Sequence, residues 1–121
     1  MKYTVNNTKT TSVEEATENL DKVREIILDN RERLNMGNWH GDEGWVERTC
    51  AEETLCGTTH CLAGWLQVCS TNKDLRKLQP FIAGAIAAPV AAKMFYKTSP
   101  KGQAEVMNWL EQRLYVEEMK S

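Results

Sequence analysis

His60–Ser70 reads HCLAGWLQVCS, with apolar or thiol side chains at Cys61, Leu62, Ala63, Trp65, Leu66, Val68 and Cys69. Side chains of this kind fall on nearly every face of a helix, so the segment is expected to be a helix buried all round, and the rest of the chain has to wrap it. Gly64 lies inside that helix, where glycine costs roughly 1 kcal/mol relative to alanine. Its presence points to another backbone packed against it, with the alanine-rich segment further along the chain as the expected partner.

Upstream, Ser12-Val13-Glu14-Glu15 has the form of a capping box. Apolar residues follow at Val13, Ala16, Leu20, Val23, Ile27 and Leu34, a stripe of helical period that predicts one long helix over 12–35. Residues 1–11 are polar and without period, and are expected to form a flexible tail. Downstream, Leu78–Ala92 is uncharged for fifteen residues, shorter than the roughly 20 that cross a bilayer, so a buried helix split by Pro89 is expected. Its small-residue face over 83–92 can pack within the chain or against a second copy in a homodimer. Ser99-Pro100 then opens a last helix, read as running to about Met119.

The stretch 36–58 shows no sustained period and is read as a long loop with one helical turn near 46–54. It contains Trp39 and Trp45, and residues 40–55 set Asp42, Glu43, Glu47, Glu52 and Glu53 against Arg48. The whole chain of 121 residues has a net charge of −2, which gives no field for gripping nucleic acid phosphates. The expected fold is therefore all-α: a compact single-domain bundle of four to five helices over 1–121, with a long loop after the first helix.

The opening MKYTVNNTKTTSVEEA has no apolar signal region, so a cytoplasmic location is expected. Cys50, Cys56, Cys61 and Cys69 are then expected as reduced thiols or metal ligands, not as bridges. Within Cys56–Trp65, CGTTHCLAGW, four chemistries compete. A structural zinc site would use Cys56, His60 and Cys61 with Cys50 or Cys69, although no C-x₂-C pair is present. A cysteine-dependent hydrolase or transferase would use Cys56 with His60 as base. Gly57, Thr58 and Thr59 ahead of a helix could cradle an anion. The structural alternative makes Gly57 a turn, Thr58 or Thr59 the helix cap, and Cys61, Trp65 and Cys69 core residues.

Asn35-Met36-x-x-Trp39, Cys56-Gly57-Thr58-x-x-Cys61-x-Ala63-Gly64-Trp65, and a small-residue helix ending in Met94-Phe95-Tyr96 resemble a group of small uncharacterised bacterial and bacteriophage proteins with a C-G-T-x-x-C-x-A-G-W-like core. The likeness spans about residues 20–97 and implies a shared fold and a bacterial or phage source. It implies no activity.

The function expected from these features is that of a small non-enzymatic interaction protein. A protein or small-molecule partner would be bound through Trp39, His40, Asp42, Glu43, Trp45, Gly57, Thr58 and His60. No catalytic residue, metal ligand or cofactor is assigned, and neither nucleic acid nor membrane is expected as a partner.

Overall fold

The computed structural model describes residues 11–120, without the side chain of Cys56. All of the expected tail except Thr11 lies outside the described residues. The first helix, α1 (Val13–Asp29), begins as its sequence dictates. The Ser12 hydroxyl accepts the Glu15 N–H at 3.1 Å, and the Glu15 carboxylate accepts the Ser12 N–H. Ala16, Leu20, Val23 and Ile27 form its buried stripe.

α1 stops short of residue 35. Asn30 takes an extended conformation and its side-chain oxygen accepts the Glu32 N–H, starting a 3₁₀ turn over Arg31–Arg33. A side chain able to bond its own neighbouring backbone offers the chain an alternative to the helix ladder, and here the alternative wins.

The loop 36–58 is more ordered than expected. A 3₁₀ turn spans Glu43–Glu47, and α2 (Cys50–Cys56) follows, opened by a second capping box between Thr49 and Glu52. Gly57 ends α2 in the left-handed region at φ 78°, where glycine has no Cβ to clash.

In the next helix, α3 (Leu62–Cys69), all eight residues are buried. Its cap is Cys61, whose Sγ accepts the Gly64 N–H at 3.3 Å, and not Thr58 or Thr59 as the sequence suggested. α4 (Pro80–Ala87) packs on α3 through Gly84, where an added Cβ would lie 2.9 Å from the Ala63 Cα and 2.8 Å from the Phe95 ring. Ala83, Gly84, Ala87, Ala88 and Ala91 are all buried within the chain, so the small-residue face is used internally. Pro89 divides the segment as expected, with a 3₁₀ helix over Pro89–Met94.

Ser99 caps α5 (Pro100–Glu111), and α6 (Leu114–Met119) follows after a break. The break corrects the single helix expected here. Arg113 adopts φ 51°, and its guanidinium pairs with both carboxylate oxygens of Asp21 on α1 at 3.0 and 2.8 Å. Tyr115 donates its hydroxyl proton to the same carboxylate. Arg24 of α1 donates to the Leu110 and Glu111 carbonyls at the end of α5, the first of which also accepts the Arg113 N–H. These bonds lock the C-terminal pair of helices to the first.

One hydrophobic core results, with α3 at its centre and α1, α4 and Pro89–Met94 packed around it. The fold is all-α. No helix among the described residues is long and apolar enough to cross a membrane.

Candidate functional site

His60 precedes α3 in an extended segment held from both sides. Its N–H donates to the Arg33 carbonyl at 3.2 Å and its carbonyl accepts the Asn35 N–H at 3.0 Å. On the other side Gly41 N–H donates to Thr59 O at 2.7 Å, and Cys61 N–H to Trp39 O at 3.3 Å. The start of the loop is thereby clamped across the first turn of α3. Gly64 is what permits this approach, because a Cβ there would sit 1.9 Å from the Trp39 carbonyl oxygen. The backbone that requires a glycine at 64 belongs to the loop and not to the alanine-rich helix.

The clamp sets two imidazoles against each other. His40 Nδ1 and His60 Nδ1 are 2.7 Å apart, and His40 Nε2 is 2.8 Å from Gln67 Oε1. Gln67 projects from α3 and is fully buried. Its amide nitrogen donates to the Leu75 and Leu78 carbonyls at 2.9 and 2.8 Å, which fixes the amide so that its oxygen faces His40.

Proton positions follow from this network. Gln67 Oε1 can only accept, so His40 carries its proton on Nε2 and presents a lone pair at Nδ1. His60 must then donate from Nδ1, leaving Nε2 facing Glu53 Oε2 at 3.4 Å. That nitrogen is buried and makes no hydrogen bond, so the His60 ring is held through Nδ1. Arg48 completes the chain, with its Nε 3.2 Å from Glu53 Oε1.

Both imidazoles are harder to protonate than in water. Burial lowers His40 to about 4, reinforced by the His60 and Arg76 charges against the pull of the Gln67 hydrogen bond and Glu53. Burial also lowers His60, against the pull of Glu53. The fully buried pair of His60 and Glu53 is screened little by solvent.

Aromatic rings enclose the chain. Trp45 stacks on His40 with centroids 3.9 Å apart and planes 13° apart, and Trp65 meets His60 edge-on at 4.6 Å. Arg76 lies over the Trp45 ring at 5.3 Å and donates to the Trp45 and Arg48 carbonyls. The 3₁₀ turn that carries Trp45 is thus tied to the segment after α3.

Of the residues expected to bind a partner, His40, Trp45 and His60 come together, but facing inward. Thr58 reaches the edge of this cluster, its hydroxyl 3.5 Å from Arg48. Asp42 is exposed, accepts the Gly44 N–H at 2.6 Å and lies 3.6 Å from Arg48. Glu43 and Gly57 are exposed. Trp39 is 38% exposed and lies 6.4 Å from the partly exposed Phe81. Gln67 and Arg76 were not singled out from the sequence, and Glu53 only as one of the loop's acidic residues. Gln67 carried the one available signal, a long polar side chain on a helix otherwise apolar all round.

The cysteines depart from expectation. Cys50 and Cys69 form a disulfide between α2 and α3, their Cα atoms 5.0 Å apart, a separation that suits bridging. The expectation of reduced thiols rested on compartment alone, which carries no information about proximity. Neither bridged sulfur can ligate zinc. Cys61 is buried and spends its sulfur on the α3 cap, and burial raises its thiol to about 11 despite the N–H groups of Gly64 and Ala63. No group of three or more His, Cys, Asp or Glu among the described residues could hold a metal ion. The Cys56 side chain proposed for the zinc and nucleophile readings lies outside what is described, while the His60 ring bonds His40 through Nδ1 and faces Glu53 with Nε2.

No family model, curated protein or solved structure matches the chain.

Proposed function

We propose that this chain is a small non-enzymatic interaction protein whose 38–55 segment binds a basic, partly apolar protein surface. The observation that carries the reading is the division of side chains in that segment. The groups able to do acid–base chemistry, His40 and Glu53 with His60, are turned inward and tied to one another. Trp39, Val46 and Leu55 are turned outward, at 38%, 58% and 86% exposure, beside exposed Asp42, Glu43, Glu47 and Glu52. Apolar contact area within a field of carboxylates favours a partner that supplies lysine or arginine around an apolar centre.

The buried histidine chain supports this reading by holding the segment in one shape before binding, which lowers the ordering cost of recognition. The C-G-T-x-x-C-x-A-G-W resemblance adds a bacterial or bacteriophage source to the proposal. The test is selection from a random peptide display library on the immobilised protein. Enriched peptides should be cationic and apolar, and should bind at least about tenfold more weakly, or roughly 1.4 kcal/mol, to a Trp39→Ala, Glu43→Lys variant. An acidic or uncharged consensus, or unchanged binding to the variant, overturns the reading.

A further inference from the structure

α2 is held to the rest of the molecule in an unusual way. Among its described side chains Glu53 alone is fully buried, while Ala51, Glu52 and Leu55 are exposed, Leu55 at 86%. The helix therefore docks without burying an aliphatic side chain. Its described attachments are polar or covalent: Glu53 to Arg48 and His60, and the Cys50–Cys69 bridge to the last residue of α3. A short helix with so little apolar burial belongs to the low-stability end of a fold unless something else retains it.

The bridge is open to attack. Cys50 is partly exposed, whereas Cys69 is buried. Both line an open groove of about 770 Å³, together with Lys22, Glu25, Leu55 and Lys73. The two ammonium groups favour the approach of an anionic thiolate, and Glu25 opposes it in part.

We propose that Cys50–Cys69 is a reducible site for a dithiol and that its opening releases α2, with Glu53, from His60. A thiolate of the dithiol attacks the Cys50 sulfur, forming a mixed disulfide and expelling the Cys69 thiolate. The second thiolate of the dithiol then attacks its own sulfur in that mixed bond, expels the Cys50 thiolate and departs as a cyclic disulfide. Two electrons pass to the protein, and the two protons lost by the dithiol leave both cysteines as thiols. The free energy of opening is set against the remaining hold of Glu53, so the same helix that completes the histidine chain is the one that reduction loosens.

The experiment is amide hydrogen exchange on the native chain with and without dithiothreitol, with alkylation of Cys50 and Cys69 followed by peptide mapping. Both cysteines should become alkylated without denaturant. Exchange over 50–56 should accelerate by about tenfold or more, with α1, α3 and α5 little changed. A Cys50→Ala, Cys69→Ala variant should show the fast exchange from the outset and no response to dithiothreitol. Resistance of the bridge to native reduction overturns the proposal, as does unchanged exchange over 50–56 once it is open. An equal acceleration throughout the chain also overturns it, because the bridge would then be a global staple and not the tether of one helix.

Discussion

His40 Nδ1 and His60 Nδ1 face each other across 2.7 Å, and Gln67, which touches only one of the two rings, determines which nitrogen carries the proton. The amide is oriented by two backbone carbonyls, so its oxygen points at His40 and the proton order runs from Gln67 to His60. Each member can be altered with a specific expectation.

Protonating His40 would place an N–H on Nδ1 against the N–H of His60 and break the contact. His40 binds its proton more weakly in the folded chain, near 4, than at its ordinary value of 6.5. The unfolded chain therefore takes up the proton first as pH falls, so this contribution is full above 6.5 and declines toward 4, and His60 acts in the same direction. Discounted for partial exposure of the His40 ring, the loss between pH 8 and 5 is on the order of 1 kcal/mol. Urea unfolding at the two pH values should show it, and His40→Asn should reduce the difference while lowering stability at pH 8.

Glu53→Gln tests the lone pair assigned to His60 Nε2, which faces Glu53 without a hydrogen bond. A glutamine can accept from Arg48 through its oxygen and donate through its nitrogen to the His60 Nε2 lone pair. The variant should lie within about 1 kcal/mol of wild type, whereas Glu53→Leu, which removes the buried carboxylate that faces Arg48 and His60, should cost about 3 kcal/mol. Equal losses in thermal unfolding would sink the proton assignment.

Gly64 and Gly57 should respond differently to alanine. At Gly64 the new Cβ meets backbone, the Trp39 carbonyl, at 1.9 Å, so the loop clamp must open at a cost of about 3 kcal/mol or more. At Gly57 no atom lies within 4 Å and only the positive φ resists, at about 1 kcal/mol. Chemical denaturation of the two variants ranks them directly.

Trp39 and Trp45, paired in the sequence as candidate contact residues, should separate in fluorescence. In variants retaining one tryptophan, acrylamide should quench Trp39 readily and Trp45 poorly, because Trp45 is only 9% exposed. Similar quenching at both positions would contradict the inward turn of the loop.

Much of the framework was legible because its causes are local. The Ser12 capping box, the stripe Ala16, Leu20, Val23 and Ile27, the interruption at Pro89 and the Ser99-Pro100 start each depend on residues within a turn or two of one another. The Thr49–Glu52 capping box was equally local, and it was obscured by the glycine-rich, aperiodic sequence around it.

The site was not legible in the same way. His40 and His60 are twenty residues apart, and Gln67 is twenty-seven from His40. Nothing in the spacing of Cys50 and Cys69 announces that the start of α2 lies beside the end of α3, and Arg113 leaves the helical region in company with Asp21, ninety-two residues away.

By itself the sequence determined that the chain is all-α, that HCLAGWLQVCS is its buried centre and that Gly64 answers to a backbone. Helix propensity, capping and periodicity act over three or four residues and are written in the order of side chains. Only the tertiary structure decided that the backbone at Gly64 is that of Trp39, that Trp45 turns inward while Trp39 remains outside, and that two histidines, a glutamine and a glutamate meet in one cluster. Such pairings depend on which distant segments are brought within 3 Å, and that is set by how the whole core closes around α3.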